Sequence, residues 1–197
     1  RWGRQYENDP TKAATAVSEV VRTMQAGGLQ TALKHFPGLG RVTGNTDFTS
    51  AGIVDSTTTA DDQYLDPFAA GIASGSGVVM MSSAYYSRMD PANQAVYSPT
   101  IIGTVLRGKL GFSGVVVSDD LNAVAVRGVP AGERAVRFVR AGGDIALTGL
   151  TSAAPVMARA LVTQAANDPA FAAKVDASVK RVLTIKTRAG LTSCSAG

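Results

Sequence analysis

The chain has 197 residues, of which 45% are apolar and 17% charged, a balance that fits one globular domain and excludes a disordered or fibrous chain. The net charge is +4, and Lys and Arg are scattered without a basic stripe or a reading motif, which argues against a nucleic-acid partner. No apolar run approaches the ~20 residues a membrane helix needs, and the single cysteine, Cys194, cannot form an internal disulfide.

In chain order, the opening Arg1-Trp2-Gly3-Arg4 lacks Met and a signal peptide and reads as a processed or truncated start. Asp9 as cap and Pro10 in the first turn predict a helix from Thr11 to Ala26, stopped by Gly27-Gly28. Leu29 to Phe36 reads as a strand ending at Pro37. A Gly/Thr/Asp-rich loop follows from Gly38 to about Asp62. Gln63 to Ser74 reads as a helix with Leu65, Phe68, Ala69 and Ile72 on one face. Gly77 to Ser82 is an apolar strand, and Ser83 to Ser98 a second long loop. Ser98 and Pro99 open a helix that runs to Leu110. Val115 to Ser118 is a strand, Gly132 to Ala141 a helix and Asp144 to Thr148 a strand. Two helices close the chain, near Ala153 to Ala166 and Pro169 to Ala189.

This is strand–helix alternation with apolar strands, the pattern of a parallel α/β sheet buried on both faces. Polar loops follow the C-terminal ends of the strands, where α/β enzymes carry their chemistry. No composition shift marks an internal boundary. The expected strands are too few to close an eight-stranded barrel, so the chain is either an open sheet or part of a barrel whose other strands lie elsewhere.

Two constellations carry chemistry. Lys34-His35-Phe36-Pro37-Gly38-Leu39-Gly40 ends a strand and holds the only histidine of the chain. Neighbouring Lys and His project to different sides unless the strand bends, and Pro37 with two glycines eases a bend. The pair suits a hydroxyl-rich ligand, or is a structural histidine beside a surface lysine. Val115-Val116-Val117-Ser118-Asp119-Asp120 places two acids just past a buried strand. A carboxylate there serves as nucleophile, general acid or metal ligand, or as a cap or Asx turn, and Asp120 suits the last.

These motifs resemble glycoside hydrolase family 3, in its β-N-acetylglucosaminidase branch. Lys34 to Gly40 resembles that branch's Lys-His-Phe-Pro-Gly-X-Gly motif, and Val105 to Asn122 resembles the active-site signature. Arg4-Gln5-Tyr6 with Asp9-Pro10 resembles an Arg-X-aromatic segment, Ala141 to Ile145 the last barrel strand, and Asp176 to Leu191 the closing helix. The resemblance implies the C-terminal part of a (β/α)8 TIM barrel, with residues 1–197 as a single partial domain. Roughly 150 further residues would precede it, going by ordinary barrel size. It implies Asp119 as nucleophile and Arg4, Lys34 and His35 as sugar-binding residues. The expected partners are a carbohydrate substrate and the N-terminal complement of the barrel, with no metal and no organic cofactor. Location is not fixed by the chain, with secretion or the cell envelope as the expectation.

The sequence departs from the branch at three places. The usual second motif histidine is Leu39, and the Asp-Ser-His triplet that supplies the acid/base is here Asn45-Thr46-Asp47. With one histidine in the chain, this loop cannot supply the dyad. Asp47 is then the candidate proton donor, if burial raises its pKa and Asn45 orients it, ahead of Asp55, Asp61 and Asp62. Alternatively, Asp47 only stabilises a turn. The branch often has a histidine near Ser83, and Tyr85 or Tyr86 stacks on a sugar or packs the rim. The leading expectation is a retaining enzyme releasing terminal β-linked N-acetylglucosamine from cell-wall or chitin-type sugars. The alternatives are a catalytically impaired sugar-binding homologue, or a related β-glycosidase or phosphorylase.

Overall fold

The computed structural model describes residues 5–192. Among these, the strands are β1 (Ala32–Phe36), β2 (Val54–Asp55), β3 (Val78–Met81), β4 (Tyr85–Tyr86), β5 (Asp90–Gln94) and β6 (Val115–Val117). The α-helices are α1 (Pro10–Ala26), α2 (Asp66–Ala73), α3 (Ala131–Ala141), α4 (Ala154–Asn167) and α5 (Pro169–Arg188). The expected parallel α/β architecture holds. β1, β3 and β6 pair in that order, all parallel, and Val117 bridges in parallel to Ile145.

Local chemistry explains the helix ends. The Asp9 carboxylate accepts from the Lys12 backbone N–H at 2.9 Å, satisfying one of the donors a helix start leaves open. Leu29 N–H returns to Met24 O at 2.9 Å. Closing α1 therefore uses Leu29, and β1 begins later than the apolar run suggests. Asp62 caps a 3-10 turn over Gln63–Leu65, and Asp66-Pro67 then starts α2 afresh, so the expected single helix is split. The Thr100–Lys109 helix is π-wound, with Leu110 N–H reaching Val105 O five residues back. Gly142 ends α3 at φ 110°, a left-handed cap conformation that other residues resist.

The expected strand from Asp144 to Thr148 is instead an irregular extended run. Its backbone pairs along β6 and the segment that leaves it: Ile145 N–H to Val116 O (3.1 Å), Ser118 N–H to Ile145 O (3.0 Å) and Leu121 N–H to Leu147 O (2.9 Å). Among the described residues no strand lies on its other side, so it lacks the second ladder that would regularise it.

One face of the main sheet packs on the helices. Leu33, Phe36, Val79, Met81 and Val116 join Val21, Phe68, Ile102, Phe138 and Met157 in the main core. Phe36 and Phe68 meet edge to face at 5.1 Å between centroids. A Cβ on Gly71 of α2 would come within 2.6 Å of Leu33 and 3.0 Å of Val17, so the missing side chain lets α2 seat against β1 and α1. On the other face Val78 and Met80 are only half-buried, whereas β6 is buried throughout. Full burial of both faces was expected; among the described residues β6 meets it and β3 does not.

The loop from Ser83 to Ser98 is more ordered than its polar sequence suggests. β4 and β5 pair antiparallel, and β2 joins β4, making a small second sheet over the strand ends. Three buried carboxylate and amide anchors hold it. Asp55 accepts from Thr57 and Thr58, Asp90 from Ala92, Asn93 and Ser98, and Gln94 Nε2 donates to Ser83 O and Ala125 O.

Candidate active site at the carboxyl ends of the strands

Because the three strands run parallel, their C-terminal ends lie at one end of the sheet. His35 comes from the end of β1 and Asp119 from just past β6. His35 Nε2 stands 3.8 Å from Asp119 Oδ2, and each side chain is 14% exposed. These two atoms are too far apart for a direct hydrogen bond but close enough to share one small ligand group. The register of β1 against β3 shifts between Leu33 and Phe36, and the Lys34-His35 and Phe36-Pro37 peptide bonds are cis. The register shift falls within the motif, where a bend was anticipated. Lys34 is exposed on this edge strand.

Asp119 sits in a loop pinned on several sides. Its Oδ1 accepts from the Asp120 backbone N–H at 2.9 Å. Ser118 is fully buried, and its Oγ accepts from Leu147 N–H at 2.8 Å. Asp120 Oδ1 accepts from Asn122 N–H (2.8 Å), the expected Asx turn, and also from Gly149 N–H (2.9 Å). Buried Arg134 of α3 donates from Nη1 to Leu121 O. The contact to Gly149 was not legible from residue order, because it joins residues 29 apart.

The Asn45–Asp47 loop docks beside the segment leaving the Asp119 loop. Val124 N–H donates to Asp47 O at 3.2 Å and Ala125 N–H to Thr46 O at 3.1 Å. Thr46 is buried, while the Asp47 side chain is exposed. Asn45 Oδ1 accepts from the Asp47 backbone N–H at 3.0 Å. Its carbonyl therefore closes an Asx turn and does not orient the Asp47 carboxyl as expected.

Other candidates are accounted for by packing. Asp61 pairs with Lys109, and Asp62 with Arg41 at 2.5 Å. Asp55 is buried. That burial would raise its pKa, but hydrogen bonds from Thr58 and Thr57 outweigh it and hold the carboxyl below its ordinary value. Tyr86 is fully buried and donates to Gly38 O at 2.8 Å, so it braces the motif and presents no face to a sugar. Tyr85 is half-buried beside it. Arg4 lies outside the described residues. At the opposite end of β6, sequence reading missed Asp144, a side chain with no exposure that accepts from Arg107, Arg181 and Val116 N–H, each at 2.8 Å. Two guanidiniums and an amide satisfy it, so it stitches the strand starts to the π-wound helix and α5.

Residues 1–185 match the N-terminal domain of glycosyl hydrolase family 3. A β-hexosaminidase of Xylella fastidiosa is 42% identical over 126 residues, 64% of this chain and 37% of that protein. A β-hexosaminidase of Stenotrophomonas maltophilia is 41% identical over 147 residues, 73% of this chain and 43% of that protein. The chain thus spans less than half the length of these relatives. The crystal structure of β-N-acetylhexosaminidase from Beutenbergia cavernae superposes with a TM-score of 0.90 at 46% identity, covering 93% of this chain and 55% of that one. A family 3 β-N-acetylglucosaminidase from a Paenibacillus species superposes with a TM-score of 0.85 at 28% identity, covering 98% and 38%. The match across nearly the whole chain, and the strand-end site it encloses, make this chain a member of glycosyl hydrolase family 3.

Proposed function

We propose that the protein carrying this chain is a retaining glycosidase that releases terminal β-linked N-acetylglucosamine from cell-wall or chitin-type sugars. One observation carries the reading: the Asp119 carboxylate, held by a backbone N–H, stands beside His35 at the carboxyl end of a parallel sheet. The names of the relatives agree with the substrate class. Asp119 attacks the anomeric carbon as the glycosidic C–O bond breaks, and the leaving oxygen takes a proton from an acid, assigned to Asp47. Water then attacks the glycosyl ester, gives its proton to the same group and frees Asp119, with configuration retained overall. His35 and Lys34, with Arg4, hold ring hydroxyls. No cofactor takes part.

Residues 1–197 act in this reading as one partial domain of a barrel whose N-terminal complement supplies the remaining strands and sugar contacts. The half-buried Val78 and Met80 and the edge strand β1 support it. The test is proton NMR of the sugar first released by the full-length protein. Retention predicts the β-anomer before mutarotation, and the α-anomer appearing first would contradict it.

The exposed Asp47 and the Asn45 Asx turn favour a second reading, a sugar-binding homologue with impaired catalysis. Binding of N-acetylglucosamine without turnover of any glycoside would establish it.

A further inference from the structure

One of the contacts that orient Asp119 is a hydrogen bond from the backbone of its neighbour. The Asp120 N–H donates to Asp119 Oδ1 at 2.9 Å. That N–H is itself fixed by the Asp120 side chain, whose Oδ1 accepts from both Asn122 N–H (2.8 Å) and Gly149 N–H (2.9 Å). One carboxylate oxygen thus ties the loop after β6 to the loop after the Asp144–Thr148 run. Nearby, Ser118 Oγ accepts from Leu147 N–H and Leu121 N–H donates to Leu147 O. The fit is close, since a Cβ on Gly149 would lie 3.1 Å from Asp120 Oδ2.

We infer that Asp120 is a positioning residue for the Asp119 carboxylate, acting through its grip on Gly149. This rests on the reading of Asp119 as nucleophile. A displacement of the order of an ångström in a reacting group costs about 100-fold in rate. Loss of the grip should therefore slow glycosylation and deglycosylation alike, because the same carboxylate enters the first and leaves in the second. Ground-state sugar binding uses other groups and should be spared. The job is to accept two N–H bonds, which an amide oxygen does as well as a carboxylate oxygen.

The test compares Asp120→Ala, Asp120→Asn and Gly149→Ala in the full-length protein. Active sites are counted by trapping with a 5-fluoro N-acetylglucosaminyl reagent, so rates refer to folded enzyme. The inference predicts that Asp120→Ala lowers kcat per trapped site by roughly 10- to 100-fold with KM within about twofold. Asp120→Asn should stay within about fivefold of wild type, and Gly149→Ala should fall between the two. Unchanged kcat per site in Asp120→Ala would overturn the inference while leaving Asp119 as nucleophile. So would an Asp120→Asn as slow as Asp120→Ala, since charge and not the hydrogen bond would then matter. Label on a residue other than Asp119 in the wild type would overturn the nucleophile assignment and this inference with it.

Discussion

The two acids assigned to the chemistry sit in opposite settings. Asp119 follows a strand buried on both faces, in a loop where the side chains of Ser118, Asp119 and Asp120 all make bonds and to which Arg134 of α3 donates. Asp47 is exposed, in a loop tied to residues 124–125 through the carbonyls of Thr46 and Asp47. The difference bears on which positions can change. Where side chains make the contacts, replacing one undoes the local structure. Where the backbone makes them, residues can be replaced while the loop keeps its place. The departure from the expected Asp-Ser-His triplet falls in the second kind of region.

Substitutions in the two loops should sharpen this contrast. The largest effect is expected at Asp119. Asp119→Asn keeps the size and removes the attacking charge, so kcat should drop on the order of 10³-fold or more with sugar binding retained. Near-normal turnover would move the nucleophile elsewhere and erase the distinction between the loops. Asp47→Ala should cost less, and unevenly. Natural disaccharides need protonation of the leaving oxygen and should slow by about 10²-fold or more, whereas activated aryl glycosides should be nearly spared in the first step. Added azide should restore aryl turnover, because it needs no base to attack the ester. Equal losses on both substrates without azide rescue would make Asp47 a turn residue only.

The smallest effect concerns the buried carboxylates that anchor the second sheet. Burial alone would raise the pKa values of Asp55 and Asp90, but hydrogen bonds outweigh it and both are lowered. A lowered folded-state pKa gives stability that is complete above the unfolded value of about 4 and is lost as pH falls through the folded value. Thermal unfolding midpoints should therefore decline with acidification in that window. Asp55→Asn should flatten the decline, leaving the part due to Asp90 and the other lowered carboxylate, Asp168. An unchanged slope would show that Asp55 does not anchor the second sheet.

Much of the fold was legible because it rests on local chemistry. Asp9-Pro10 starts α1, three valines make β6, and Pro169 opens α5 after the capping Asp168. The second sheet was not legible. Tyr85–Tyr86 and Asp90–Gln94 carry no alternating apolar pattern, and their pairing depends on Asp90, Gln94 and backbone partners brought from elsewhere. Asp144–Thr148 read as a regular strand because its apolar residues do not reveal that, among the described residues, it pairs on one side only. In the site, the meeting of His35 and Asp119 followed from parallel strands and motif order. The bonds of Asp120 to Gly149 and of Asn45 to the Asp47 backbone did not, because residue type does not fix which partner a short polar side chain takes.

The most direct test of the account is covalent. The full-length protein, incubated with a 5-fluoro N-acetylglucosaminyl donor and digested, should yield one peptide heavier by the fluorosugar, fragmenting to place the mass on Asp119. A label on any other carboxylate, or turnover of natural substrate by a protein that never accumulates label, would contradict Asp119 as the nucleophile of a retaining enzyme.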